Sequence, residues 1–364
     1  MLGSPPNKLS SLARRLLPVL WVLIGLMAID GIVVLFRDRW ERHSPDDYVE
    51  RIQGCAADSR DFVLIGGSPV SEGFDPALIA GVRWGDTVLQ NGYAVGLPGG
   101  TTTDFYYALQ HSCLTSPKLV IYGISCTDMN DSRNEPHGAY SILSWGDWFD
   151  CVQTRSDARG WITRRFLEGQ LRCGWALYRY RHGIRMNLAA TLDDHFPGSC
   201  PEATREVRDN LRYSNALRDG HGYAPAPWFV NANYAQRKAT NAGMAPFDFL
   251  DKYRTGSHLK YLDRLADLQT EWGTQLVLVD MPVTKDLETK YPTAVAEYQD
   301  RLREFVARRK VILLSADRER LGLNDTDFAD GIHLNGGGAK KLSLWLRGQL
   351  EHLPHAAPTP GATP

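Results

Sequence analysis

The sequence predicts an α/β fold: a parallel sheet with helices between its strands, a helical insertion and one N-terminal transmembrane helix. Three observations carry this. Short β-branched apolar runs recur along the chain, each run ends in a loop rich in Gly, Pro or Asp, and helix-period segments separate successive runs. One apolar stretch near the N-terminus breaks the pattern by its length.

That stretch, Leu16 to Phe36, is apolar except for Asp30. At about 1.5 Å per residue it spans a hydrocarbon core of roughly 30 Å. A cleaved signal peptide has a shorter apolar region and a small-residue cleavage site, and neither is evident here. Asp30 lies toward the C-terminal end, where a carboxylate costs less than at the centre. Lys8, Arg14 and Arg15 nearly balance Arg37, Arg39 and Arg42 across the span. Orientation therefore rests on the short tail, residues 1–15, staying cytoplasmic while the large domain crosses. The expectation is a single-pass protein of a bacterial inner membrane, with its folded domain on the periplasmic side.

Residues 37–60 carry charges at helical spacing and read as an amphipathic connector; the α/β domain is expected over 61–353. Its opening strand, Phe62 to Ile65, stops at Gly66-Gly67, and Ser68-Pro69 follow at once, so a strand delivers a hydroxyl onto a tight turn. Asp75 can cap a helix whose first turn holds Pro76. Val88 to Val95 reads as the next strand, and GLPGGTTT after it as a glycine loop with a threonine cap before the helix at Phe105. Lys118 to Gly123 is a buried strand running into the polar ISCTDMNDS. From 133 to about 244 the alternation stops. This stretch, rich in Trp, Tyr and Arg, has helical pieces at Thr163–Tyr180 and Glu202–Arg212 and reads as a helical insertion over the sheet, a cap or substrate platform. The alternation resumes at His258–Trp272, where leucines 259, 262, 265 and 268 keep a near-helical repeat. Strand Gln275–Asp280, helix Tyr298–Arg309 and strand Val311–Leu314 follow. DFADGIHLNGGG then leads into a last amphipathic helix, and the Pro/Ala/Thr-rich tail 354–364 is expected to be disordered.

The totals narrow the function. The chain is 43% hydrophobic and 23% charged with a formal net charge of −1, an ordinary globular composition with no basic excess for nucleic acid. Six cysteines without a CxxC pair argue against structural zinc; Cys151, Cys173 and Cys200 are the disulfide candidates for an oxidising compartment. His111 and Cys113 have no further metal ligands in range. GGGAKKLS lacks the phosphate-loop spacing and GLPGGT the dinucleotide spacing, so no cofactor or metal is expected.

In an open parallel sheet the ligand site lies beyond the carboxyl ends of the strands. Four distant pieces arrive there: Ser68, the Gly99 loop, the 125–131 loop, and Asp330 with His333. A serine hydroxyl is a weak nucleophile that needs a general base, and an imidazole, titrating ordinarily near pH 6.5, suits the task. Asp330, three residues before His333, can accept its Nδ1–H and leave the other ring nitrogen for Ser68. An oxyanion needs donors: the Ser68 N–H, the Gly99 N–H and a side-chain amide, assigned to Asn130, with Thr127 the weaker hydroxyl substitute. Asn335 is placed to cap the last helix and fix the loop bearing His333. Asp280 also ends a strand, and reads more readily as a turn residue than as a group orienting a base.

These blocks, in this order, resemble the SGNH/GDSL hydrolase family. Gly67-Ser68 after a strand is similar to its first block, GLPGGT around Gly99 to its glycine block, and DGIHLN, with Asp330 and His333, to its C-terminal Asp-x-x-His block. Asn130-Asp131 follows the third strand a few residues later than the family's Asn-Asp. The opening GGSPVSEGFDP behind an anchor resembles a membrane-bound branch that transfers or removes acyl groups on surface polymers, such as the alginate O-acetylation proteins and those that move D-alanine onto teichoic acids. The resemblance implies an SGNH-like three-layer α/β/α sandwich and a serine esterase or O-acyltransferase, free of cofactor, acting on ester-linked acyl groups of an envelope glycan or lipid beside a membrane-bound acyl-donor partner. The alternative is a non-catalytic envelope protein of the same fold that binds a polysaccharide or scaffolds its synthesis.

Overall fold

A computed structural model describes residues 8–36, 47–113, 115–132, 143–225, 230–237 and 245–353. The far end of the N-terminal tail, the first part of the connector, the start of the expected insertion and the C-terminal tail lie outside the described residues. The chain forms two compact units: residues 46–166 with 212–364, and residues 1–45 with 167–211.

The larger unit is built on a five-stranded parallel sheet. Its strands are β1 (Phe62–Gly66), β4 (Gly92–Gly96), β5 (Leu119–Ile124), β6 (Gln275–Asp280) and β7 (Ile312–Ser315), in the order β4-β1-β5-β6-β7. Both faces are covered, which is why β1 and β5 read as unbroken apolar runs and not as alternations. Val63 and Ile65 of β1 enter one core, closed by helices Asp47–Ala56, Thr102–Ser112, Ser257–Trp272 and Pro292–Arg309. Phe62 and Leu64 enter the other, closed by Ser68–Gly73, Pro76–Ile79 and Gly336–Glu351. The chain runs from β1 out to β4 on one side, then back across to β5 on the other. That reversal opens a crevice beyond the carboxyl end of β1.

Three elements differ from the sequence expectation. The Val88–Val95 run is two elements: Thr87–Leu89 (β3) turns back onto Val82–Trp84 (β2) as a hairpin, and only Gly92–Gly96 joins the sheet. The Asp61 carboxylate forces the break by accepting the Gln90 and Asn91 N–H groups at 2.9 and 3.0 Å. The helix expected from Tyr298 begins at Pro292, whose fixed φ suits a first helical turn. Third, the 133–244 stretch is not one insertion. Helix Trp145–Thr154 and the first turns of Arg159–Gly174 pack Cys151, Val152, Ile162 and Phe166 against Tyr107 and Tyr261 of the sheet unit, whereas 167–211 cluster with the N-terminal helix. The apolar positions of the two halves find different partners.

In the smaller unit the first helix, Lys8–Leu35, already includes residues 8–15 of the expected tail. Its Leu16–Leu35 portion is, among the described residues, the one helix long and apolar enough to cross a membrane. Asp30 accepts the Leu177 N–H at 2.6 Å, at the start of the short Ala176–Arg179 helix, and Arg181–His195 follows.

The five described cysteines are free thiols, Cys151 and Cys200 among them, and no described side chain settles Cys173. Cys151 is sealed in the core, so the disulfide expectation for Cys151 and Cys200 is not met here. The neighbouring thiols are instead Cys55 and Cys113. Cys113 first, and burial second, push the Cys55 thiol far above its ordinary range.

Candidate active site

Three glycines prepare the site. Gly66 and Gly96 end β1 and β4, and Gly123 stands one residue before the end of β5, the three in register with one another. A Cβ on Gly66 or Gly123 would lie 2.4 Å from Val70 Cγ2, and one on Gly96 would lie 2.5 Å from Ser71 Cβ. The absent side chains let helix Ser68–Gly73 rest directly on the strand ends. The tight turn expected at Ser68 is therefore the first residue of a helix. Its N–H, in the first turn, has no helical acceptor, and Pro69 behind it has no N–H to satisfy.

His333 sits in a loop closed by a bridge between Phe328 and Leu334 and by the Ala329 N–H donated to the His333 carbonyl at 2.8 Å. Thr284 N–H holds the Gly331 carbonyl at 2.9 Å. Asn335 caps the last helix as expected, accepting from Gly337 and Gly338 N–H at 3.0 and 3.1 Å. Its amide also donates to the Ala232 and Thr326 carbonyls at 2.8 and 2.6 Å, tying the loop to two other segments.

Asp330 Oδ1 accepts the Ile332 and His333 N–H groups at 3.0 and 2.9 Å, and its Oδ2 lies 2.7 Å from His333 Nδ1. His333 Nε2 lies 2.7 Å from Ser68 Oγ. Burial works to raise the Asp330 pKa, but the His333 hydrogen bond and charge with the two backbone donors outweigh it and hold the carboxyl below its usual range. An ionised Asp330 accepts only, so the ring proton belongs on Nδ1 and Nε2 is left to take the serine proton.

A cleft of about 150 Å³ opens beside Ser68, walled by Gly67, Gly99, Thr127, Phe247, Phe249 and Ile332. Gly99 takes a φ of +77°, and its loop is held by Leu97 N–H on the Gly66 carbonyl (2.8 Å) and Gly100 N–H on the Leu97 carbonyl (2.9 Å). The Ser68 and Gly99 N–H groups meet no acceptor among the described residues.

Asn130 does not line this cleft. Its Oδ1 accepts from Ser132 N–H, Ser132 Oγ and Arg254 N–H at 3.0, 2.8 and 3.3 Å, and its amide donates to the Phe249 carbonyl at 3.4 Å. The reason is the turn after β5, where Asp128 accepts the Ser125 N–H at 2.9 Å and returns its own N–H to the Ser125 carbonyl at 3.1 Å. This turn brings Thr127 and Asp128 to the cleft and leaves Asn130-Asp131 one step beyond it. There Asp131 accepts the Ser257 and His258 N–H groups at 2.6 and 3.1 Å and starts the Ser257–Trp272 helix. Asp280 also faces elsewhere, accepting Tyr298 OH at 2.7 Å and Gln299 Nε2 at 2.8 Å. His111 pairs with Asp147 at 3.2 Å. Phe247 and Phe249, which wall the cleft, carried no signal in the sequence; the terminal glycines did, but only once the strands are paired.

No family model and no curated protein matches the chain. Among solved structures it is similar to the inhibitor-bound form of the M. smegmatis aryl esterase, at 11% identity and a TM-score of 0.29, over 80% of this chain and 98% of that one. A likeness at that score carries no argument, and the chemistry rests on the site's own geometry.

Proposed function

We propose that this protein is a serine-dependent enzyme of ester chemistry, of SGNH/GDSL type, held at a membrane by Leu16–Phe36 with its sheet unit outside the cytoplasm. One observation carries the reading: Ser68, His333 and Asp330, from two ends of the chain, lie in a hydrogen-bonded line with 2.7 Å at each link. Support for the substrate comes from the cleft. At about 150 Å³, with Phe247 and Phe249 as walls, it admits a short acyl group such as acetyl while the rest of the ester stays outside. The glycan or lipid carrying that acyl group, and a membrane-bound acyl donor, belong to the same reading.

In the reaction His333 Nε2 takes the Ser68 proton as Oγ bonds to the ester carbon. The carbonyl electrons move onto oxygen, which the Ser68 and Gly99 N–H groups receive. Thr127, on the cleft wall, has its hydroxyl bonded to Asp128 Oδ1 at 3.2 Å and beside Ser125 Oγ at 2.8 Å, so the two backbone N–H groups carry the oxyanion. When the tetrahedral centre collapses, the ester C–O bond breaks and the leaving alkoxide takes the proton from His333, leaving acyl-Ser68. Water or a sugar hydroxyl then attacks the acyl carbon as His333 takes its proton; the acyl–Oγ bond breaks and His333 returns the proton to Ser68, which makes the same site a hydrolase or a transferase according to the acceptor.

A fluorophosphonate probe tests this on the full chain in detergent. Labelling of the wild type, lost in Ser68→Ala, is expected, together with faster turnover of acetyl than of hexanoyl esters. A folded wild type that takes no label would move the reading to a non-catalytic envelope protein.

A further inference from the structure

The two oxyanion donors differ in what holds them. The Ser68 N–H belongs to a helix that rests on the strand ends, whereas the Gly99 N–H belongs to a turn. Residues Leu97-Pro98-Gly99-Gly100 close with the Gly100 N–H on the Leu97 carbonyl at 2.9 Å. Proline at the second position is fixed at a negative φ, and Gly99 at the third takes +77°. Together these make a type II turn, because type I needs a negative φ at the third position. The two types differ by a flip of the middle peptide, here the carbonyl of Pro98 and the N–H of Gly99. Glycine at the third position leaves both forms open to the chain. In a trans peptide that carbonyl and that N–H point in opposite directions, so whatever holds the one aims the other.

Among the described residues one side chain reaches the Pro98 carbonyl: Tyr48 OH donates a hydrogen bond to it from fifty residues away in the chain. Tyr48 stands in the first turn of helix Asp47–Ala56. Tyr48, Ile52 and Cys55 follow at helical spacing and share one core with Leu97 and Phe105. The other end of the helix is fixed by Arg60, whose guanidinium donates to the Gly54 and Cys55 carbonyls at 2.7 and 3.1 Å. The backbone bonds that tie down the turn, from Leu97 N–H to the Gly66 carbonyl and from Gly100 N–H to the Leu97 carbonyl, do not touch the middle peptide. A flip would break the Tyr48 bond and turn the Pro98 carbonyl, an acceptor, toward the place the oxyanion takes.

We propose that Tyr48 is a positioning residue for the acyl transfer at Ser68: its hydroxyl latches the Pro98–Gly99 peptide in the orientation that presents the Gly99 N–H to the oxyanion. The proposal rests on the reading of Ser68 as nucleophile and of the Gly99 N–H as an oxyanion donor. Tyr48 does not line the cleft and acts through one peptide plane. Its bond also draws electron density toward the Pro98 oxygen, which makes the N–H of the same peptide a stronger donor. The donor is needed as charge builds on the ester oxygen, so loss of the latch shows in the chemical step and not in binding of the uncharged ester.

The test uses the full chain in detergent, with kinetics on a soluble acetyl ester, the rate of fluorophosphonate labelling and circular dichroism. Tyr48→Phe removes the hydroxyl and keeps the ring. A fall in kcat of about tenfold is expected, with KM within about twofold and the fold retained; that is the worth of one hydrogen bond and less than the roughly 10²–10³ of a lost oxyanion donor. Labelling should slow by a similar factor, since the phosphoryl oxygen takes the same place. Tyr48→p-aminophenylalanine, which restores a donor, should bring kcat back to within about threefold of the wild type. A loss under about threefold in Tyr48→Phe, or an equal loss in both variants, would overturn the latch while leaving an active wild type and the Ser68 reading intact. A folded wild type with neither turnover nor label sinks the Ser68 reading, and the proposal with it.

Discussion

Two ends of one sheet edge hold an aspartate each, Asp330 buried and Asp280 half-buried at the surface, and they behave in opposite ways. Beyond β1, Asp330 meets two backbone N–H groups and the His333 ring, which outweigh burial and keep it ionised. At the end of β6, burial dominates for Asp280; the Gln299 and Tyr298 hydrogen bonds only partly offset it, and its pKa is raised. Burial alone therefore does not mark a working carboxylate. The donors around it do, and at Asp330 one donor is a ring that itself reaches a hydroxyl. The β1 side also ends in glycines that admit a helix bearing Ser68 onto the strands, whereas β6 ends in a side chain tied to the Pro292–Arg309 helix.

The comparison can be broken most directly at Asp330. Asp330→Asn should lower turnover on the order of 10⁴-fold with the fold retained, and His333→Ala on the order of 10⁶-fold. Ester kinetics beside circular dichroism check both; near-wild-type rates would remove Asp330 from the relay. Gly123→Ala pushes a methyl group into Val70 and should cost about 1–3 kcal/mol, read as a lower denaturation midpoint, with activity falling as Ser68 shifts. Asn130→Ala strips partners from Ser132, Arg254 and Phe249 and should cost about 1–3 kcal/mol in stability. Its kcat should stay within about threefold, since an oxyanion donor is worth about 10²–10³; a larger kcat loss at unchanged KM would return Asn130 to the site.

The smallest effect belongs to Asp280. With a raised folded pKa, its contribution to stability is full below the ordinary carboxyl value and is lost as pH rises through the folded value. Asp330, held low, contributes above the ordinary value and loses its contribution as pH falls through its lowered one. Asp280→Asn should thus gain stability relative to the wild type between about pH 4 and 7, with activity changed by less than about twofold. Chemical denaturation across that range checks the sign. A loss of stability at neutral pH would mean that Asp280 is held charged after all.

Much of the site was legible in the chain because chain order is topology in a parallel α/β fold. Phe62–Gly66 had to be a buried strand, Ser68 had to follow it at the carboxyl edge, and Asp330, three residues before His333, could reach only its own histidine's neighbourhood. The apolar stretch at Leu16–Phe36, long enough to cross a membrane, declares itself by length and composition alone. Asn130 could not be placed the same way, since its position depends on how a single turn at Ser125–Asp128 spends its hydrogen bonds. Nor could the Cys55–Cys113 neighbours or the division of 133–244, which depend on which helix faces meet.

Local pattern and strand order thus brought Ser68, His333 and Asp330 to one edge of the sheet, because periodicity and connectivity are properties of sequence. Only the tertiary structure decided what each of them touches. The register of Gly66, Gly96 and Gly123, the Ser68 and Gly99 N–H groups left without an acceptor among the described residues, and the opposite fates of Asp330 and Asp280 arise from contacts between residues far apart in the chain, which no local pattern encodes.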